Sequence, residues 1–144
     1  MNESHADTST PTVDVLVYSD DRRVREQVRV ALGRRLSADL PELRVVEAAT
    51  QPAVLDAMDS GKISVAIFDA EAVPSGGMGL CRQMHDEIPD CPPIMVIVAR
   101  EQDAWLATWS RAEAVAAHPV DPIRLPGQVA DMMRRAGLGV EANA

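Results

Sequence analysis

Three apolar runs of this chain stop abruptly at residues that can carry charge or hydrogen bonds. VDVLVY gives way to Ser19-Asp20-Asp21, SVAIF ends in Asp69, and AVAA ends in His118-Pro119. A carboxylate directly after an apolar run is costly to leave half-buried without a cation or hydrogen-bond donors. If the first and third runs lie side by side, Asp20 and Asp69 converge. Two carboxylates at one edge can then hold Mg²⁺ in an oxygen shell completed by water and a carbonyl. The competing reading is local: Asp20 or Asp21 caps the next helix, and Asp69 accepts hydrogen bonds from loop amides. Glu71, just beyond, either crowds such a site with negative charge or supplies a ligand.

The elements that must position these residues show in the hydrophobic pattern. Five runs, at 13–19, 43–48, 64–69, 93–99 and 113–118, are mostly continuous in apolar residues, as expected for strands covered on both faces. Helical spacing follows the first run (Val24, Val28, Ala31, Leu32), the third (Leu80, Met84, Ile88) and the fifth (Leu125, Val129, Met132, Ala136). QPAVLDAMDSG at 51–61 reads as a short helix with Thr50 as N-cap and Gly61 as its stop. EQDAWLATWSR at 101–111 reads as a fourth, less regular helix. SADLPE at 37–42 lengthens one connection and points to a local irregularity. Strand and helix alternating five times predicts an α/β fold, a doubly wound parallel sheet with right-handed crossovers and helices on both faces. In such sheets ligands sit beyond the carboxyl ends of the strands, where the charged residues above fall.

Composition narrows the function. The 144 residues form one domain by length and carry a net charge of -8, which repels a phosphate backbone, so nucleic acid is not an expected partner. Lys62 is the sole lysine among 14 basic residues, a composition that suggests a GC-rich, actinobacterial genome. Cys81 and Cys91 form no CxxC pair and read as structural thiols in a reducing cytosol. No apolar run approaches the length of a membrane span, and the polar start is no secretory signal, so a cytoplasmic protein without direct membrane insertion is expected. Residues 1–12 and 137–144 read as disordered tails around a domain at 13–136. His5 and His85 have no partners at metal spacing and read as surface residues.

VLVYSDDRRVRE, IFDAEAVPSGGMGLCR, PIMVIVA and AEAVAAHPVDPIRL, in this order and spacing, resemble the receiver domain of bacterial two-component response regulators. The resemblance spans about residues 13–136. It implies a five-stranded, flavodoxin-like sheet of order 2-1-3-4-5, and a phospho-acceptor at Asp69 that a sensor kinase would serve. It also implies a Mg²⁺ site at the acceptor and the acidic pair after the first strand. A Thr or Ser after the fourth strand and a Lys before a proline after the fifth would complete the switch, with an aromatic on the fifth strand. Gly77 falls on the family's turn glycine, and Pro74 falls one residue late. Asp121-Pro122 reads as an N-cap and first helical residue, and the His118-Pro119 bond is expected to be cis, as is common in the family.

The departures carry the functional expectation. Ser19 replaces one acid, Val98 the hydroxyl, His118 the ammonium and Val115 the aromatic. Val98 keeps the shape of threonine without its hydrogen bond. His118 is largely neutral unless a carboxylate pairs with it; paired with Asp69, it would satisfy the acid in place of a metal. Asp20 and Asp69 remain as the minimum for weak Mg²⁺ binding. The expected protein is a degenerate, stand-alone receiver with no catalytic residue, binding another protein without obligatory phosphorylation. A phosphorylatable regulator with Asp69 as acceptor is the alternative. Trp105 and Trp109, spaced i, i+4, are the expected interface residues, unless one fills the gap left at Val115. The arginines of the first helix (Arg22, Arg23, Arg25, Arg29, Arg34, Arg35) read as a solvated face or a dock for an acidic protein. The chain looks most similar to mycobacterial orphan receivers encoded beside the respiratory NADH dehydrogenase. That likeness implies a peripheral subunit of a respiratory complex, attached to the membrane through its protein partner.

Overall fold

The computed structural model describes residues 11–140. In chain order the elements are β1 (Thr12–Tyr18), α1 (Arg22–Leu32), β2 (Glu42–Ala48), α2 (Gln51–Asp59), β3 (Ile63–Asp69) and α3 (Gly77–Glu87). There follow β4 (Ile94–Val98), a 3-10 turn (Glu101–Asp103), α4 (Leu106–Ser110), β5 (Ala114–Ala117) and α5 (Arg124–Arg135). The strands form one parallel sheet in the order β2-β1-β3-β4-β5.

The continuous apolar runs have a direct cause. Successive strand residues point to opposite faces, and each face meets its own helical layer. Leu16, Tyr18, Ala66, Phe68, Val96 and Val98 face a core that includes Val54, Met58, Leu80 and Met84 of α2 and α3. Val15, Val17, Val65, Ile67, Met95 and Ile97 face Val28, Leu32, Leu125, Val129 and Met132 of α1 and α5.

The starts of α1, α2 and α5 are set by side chains. Asp21 accepts from Arg23 N–H at 2.8 Å, and Thr50 from Ala53 N–H at 3.3 Å. Asp121 accepts from Ile123 and Arg124 N–H, and its carbonyl takes the Leu125 N–H at 2.9 Å. Asp121 is thus the functional cap of α5, with Pro122 in the first turn, where its missing N–H costs nothing. Gly61 closes α2 with φ +74°.

Three expectations need correction. The helix expected over 101–111 is a 3-10 turn followed by the five-residue α4, which ends where Arg111 adopts a left-handed conformation at φ 66°. Residues 137–140 are not a loose tail: Leu138 packs on the core and Val140 N–H donates to the Asp39 carbonyl at 2.7 Å. The irregular 37–42 segment is their anchor, with Leu40 fully buried and Asp39 held by Arg134 at 2.8 Å. Finally, His85 is not a surface residue; its side chain is largely buried and its Nε2 lies 3.0 Å from Glu113 Oε1. His5, residues 1–10 and residues 141–144 lie outside the described residues.

Candidate functional site

Strand register brings the site together. Tyr18 pairs with Phe68 and Val98 with Ala117, so Ser19, Asp69 and His118 leave three strands at the same end of the sheet. β1 lies between β2 and β3, where the strand order reverses, and that reversal opens a crevice. A concavity of 270 Å³ there is lined by Asp20, Asp21, Val24, Asp69, Glu71 and His118.

Asp69 is 3% exposed, and both of its oxygens are engaged. Oδ1 accepts from Glu71 N–H at 2.9 Å and lies 2.8 Å from His118 Nε2. Oδ2 accepts from the Ser19 hydroxyl at 2.8 Å. An ionised carboxylate can only accept, so His118 carries a proton on Nε2. Burial pushes the Asp69 carboxyl up, but the hydrogen bonds from His118, Glu71 N–H and Ser19, with the His118 charge, outweigh it and hold the carboxyl below its usual range. The bond to Asp69 raises His118 above its ordinary value against the opposing effect of burial, helped by the Asp69 and Glu71 charges. Each group holds the other in its charged form.

The neighbours fix this arrangement. Ser19 is fully buried, and its oxygen accepts from Asp21 N–H at 3.0 Å, which orients the hydroxyl proton toward Asp69. Arg25 donates to the Ser19 carbonyl at 2.7 Å. Tyr18 donates to the Ser75 carbonyl at 2.6 Å and pins the loop after β3. Gly77 sits against the strand end; a Cβ there would lie 2.7 Å from the Asp69 carbonyl oxygen and 2.9 Å from Phe68 Cβ. The His118-Pro119 bond is cis, as expected, and so is Val73-Pro74.

Asp20 and Asp69, the expected Mg²⁺ pair, line the same concavity but differ in their surroundings. Asp20 is exposed, and its Oδ1 accepts from Val73 N–H at 3.1 Å. No cluster of three or more His, Cys, Asp or Glu side chains suited to a metal occurs among the described residues. Ser19 offers a donor where a second acid would face the ion, and Asp69 already has a proton donor on each oxygen. The residues therefore do not fit a divalent ion in this arrangement. Val98, at the end of β4, is an aliphatic group buried in the core on the α2–α3 side, and Val115 is half-buried on β5.

Neither tryptophan fills the space beside Val115. Trp105 is 71% exposed and Trp109 55%. The Arg82 guanidinium lies 5.0 Å from the Trp109 ring centre and donates to the Trp109 carbonyl at 3.0 Å. Sequence reasoning missed Ser75, which acts through its carbonyl, and gave Glu71 a side-chain role where the structure uses its N–H. Ser19 was read as a lost acid, whereas the structure makes it a hydrogen-bond donor to Asp69. The only available signal was its place one residue before Asp20.

A parallel β2-β1-β3-β4-β5 sheet with an aspartate closing β3 and a cis proline step after β5 is the receiver architecture of two-component signalling. The chain belongs to the response-regulator family. It is 53% identical over 126 residues to an uncharacterized response regulatory protein of Mycobacterium tuberculosis, covering 88% of this chain and 95% of that protein, in both the H37Rv and the CDC 1551 strains. Among solved structures, it resembles a CheY-like receiver domain protein from Methanospirillum hungatei (TM-score 0.70, 18% identity, 88% of this chain and 97% of that chain). It also resembles the receiver domain of a LuxO repressor protein from Vibrio parahaemolyticus (TM-score 0.72, 18% identity, 88% and 94%). No protein-family model matches the chain. Among the described residues no helix is long and apolar enough to cross a membrane.

Proposed function

We propose that this chain is a degenerate receiver that works as a protein-binding module, with its acceptor carboxylate held in a permanent internal pair. The observation that carries this reading is the set of three donors on Asp69: His118, Ser19 and Glu71 N–H. In this reading the His118 imidazolium stands where a metal's charge would be, and its bond to Asp69 competes with any phosphoryl donor. Val98 and Val115 then leave no hydroxyl and no mobile aromatic to report on the site. The partner is a protein, contacted through the exposed Trp105 and Trp109. In this reading the partner belongs to a respiratory NADH dehydrogenase complex, and this chain sits on its cytoplasmic side without membrane insertion of its own. Catalysis has no part in this function.

The test is an amide NMR titration with Mg²⁺ and beryllofluoride, a phosphoryl mimic, using Asp69→Asn as control. The expected result is no saturable response around Asp69 at millimolar Mg²⁺. Saturable shifts that spread from Asp69 to α4 and vanish in the variant would instead establish a phosphorylatable regulator served by a sensor kinase.

A further inference from the structure

The outer edge of β5 carries a hydrogen-bonding row that pairs with no strand among the described residues. β5 ends the sheet, and all four of its residues are partly exposed. His118 N–H donates to the Val98 carbonyl at 2.8 Å, so the main chain of His118 faces β4. Main-chain direction alternates along a strand, so Val115 and Ala117 turn theirs away from the sheet. The Val115 carbonyl meets no strand there; the Gln128 side-chain amide of α5 donates to it at 3.3 Å. A primary amide is the side-chain group most like a peptide N–H, and Gln128 occupies the place that a neighbouring strand's amide would take.

The space for that strand is already open. α4, on this flank of the sheet, has only five residues. A groove of 620 Å³ runs along this edge, between Glu101 and Ala104 on one side and Leu125 and Gln128 of α5 on the other. At its rim Arg124 and Glu101 approach to 3.5 Å and neutralise each other. Natural edge strands are commonly guarded by a charge, a proline or a bulge; Ala114–Ala117 contains neither a charge nor a proline.

We propose that an extended segment of a partner protein adds to β5 as a sixth strand, displacing the Gln128 amide. The proposal rests on the reading of this chain as a protein-binding module and names a second contact apart from the tryptophans. A row of main-chain donors and acceptors is complementary to another extended chain; a helix has no free main-chain groups to offer it. The apolar floor and internally paired rim suit small aliphatic side chains on the inward positions of that segment. Main-chain pairing supplies affinity and the groove supplies selectivity.

The test selects short random peptides displayed on phage against the full chain. Binders should protect the Val115 and Ala117 amides from hydrogen exchange and lose binding when N-methylated at alternate positions. Gln128→Ala frees the Val115 carbonyl and should tighten binding about fivefold, the worth of one main-chain hydrogen bond. Ala117→Pro deletes an outward N–H, a change that edge strands tolerate, and should weaken binding by a similar factor. The proposal is overturned if no binder is recovered, or if binders map to Trp105 and Trp109. Indifference to N-methylation, or protection of β5 by self-association of the free protein, overturns it as well. A positive beryllofluoride response would count against the function proposed above, whereas these outcomes bear on the β5 edge alone.

Discussion

At Asp69 a buried carboxylate meets one imidazole, one hydroxyl and one main-chain amide, and their balance sets how the site responds to pH. The folded His118 value lies above its ordinary one, so its stabilisation is complete below about pH 6.5 and is lost as pH rises through the raised value. The folded Asp69 value lies below its ordinary one, so its stabilisation is present above about pH 4 and is lost as pH falls through the lowered value. The pair therefore contributes most between those limits. Urea unfolding of the wild type should lose on the order of 1 kcal/mol between about pH 6 and pH 9 that His118→Gln does not lose. Equal losses in both proteins would place the pH dependence elsewhere. In Asp69→Asn the imidazole keeps a hydrogen-bond partner but loses the opposing charge. Its pKa, followed by NMR, should fall, and an unchanged value would refute the pair.

At the level of elements, the contact between β3 and α3 holds Asp69 in place. Gly77 starts α3 directly against the end of β3, where any side chain meets main-chain atoms that cannot move aside. Gly77→Ala should cost about 1–3 kcal/mol in denaturant unfolding. Gly79→Ala, in the same helix with nothing within 4 Å of its added Cβ, should be neutral or stabilising by less than about 1 kcal/mol. Similar losses in the two variants would show that helix propensity, not the close approach, is being measured. α4 illustrates a different balance. Trp109 within it and Trp105 just before it stay largely exposed because five residues make barely more than one turn, and only Ala107 and Ser110 reach the interior.

For the whole molecule, aromatic exposure favours α4 and the residue before it over α1 as the docking face. Arg25 and Arg29 share Glu47, Arg23 reaches Asp21 and Arg34 reaches Glu42, so three carboxylates offset part of the charge of the six-arginine cluster. Arg82 and Arg111 both reach Asp86 beside Trp109, and the two rings are the largest of the exposed apolar side chains, which also include Val30, Val73 and Ile123. Trp is enriched at interface hot spots, where truncation typically costs about 2 kcal/mol or more of binding. Affinity purification from native membranes should recover stoichiometric respiratory-complex subunits. Trp105→Ala with Trp109→Ala should lower that recovery at least about tenfold while leaving the unfolding midpoint nearly unchanged. Recovery of soluble regulators alone would remove the respiratory partner.

The sequence by itself determined the strand–helix alternation, the two covered faces of the sheet and the three strand ends that meet. Those features follow from hydrophobic period and cap chemistry, both local in the chain. It also determined that hydroxyl, ammonium and aromatic are missing, because residue identity is enough to rule out a hydrogen bond from Val98. Only the tertiary structure decided what replaces them. Ser19 and His118 reach Asp69 across fifty and forty-nine residues of chain, respectively. Whether Ser19 donates to that carboxylate or leaves it to a metal depends on the register of β1 against β3, which no local pattern encodes. The same holds for the short α4, where a helical composition yields to the left-handed turn at Arg111, and for residues 137–140, which are held by Asp39 far away in sequence.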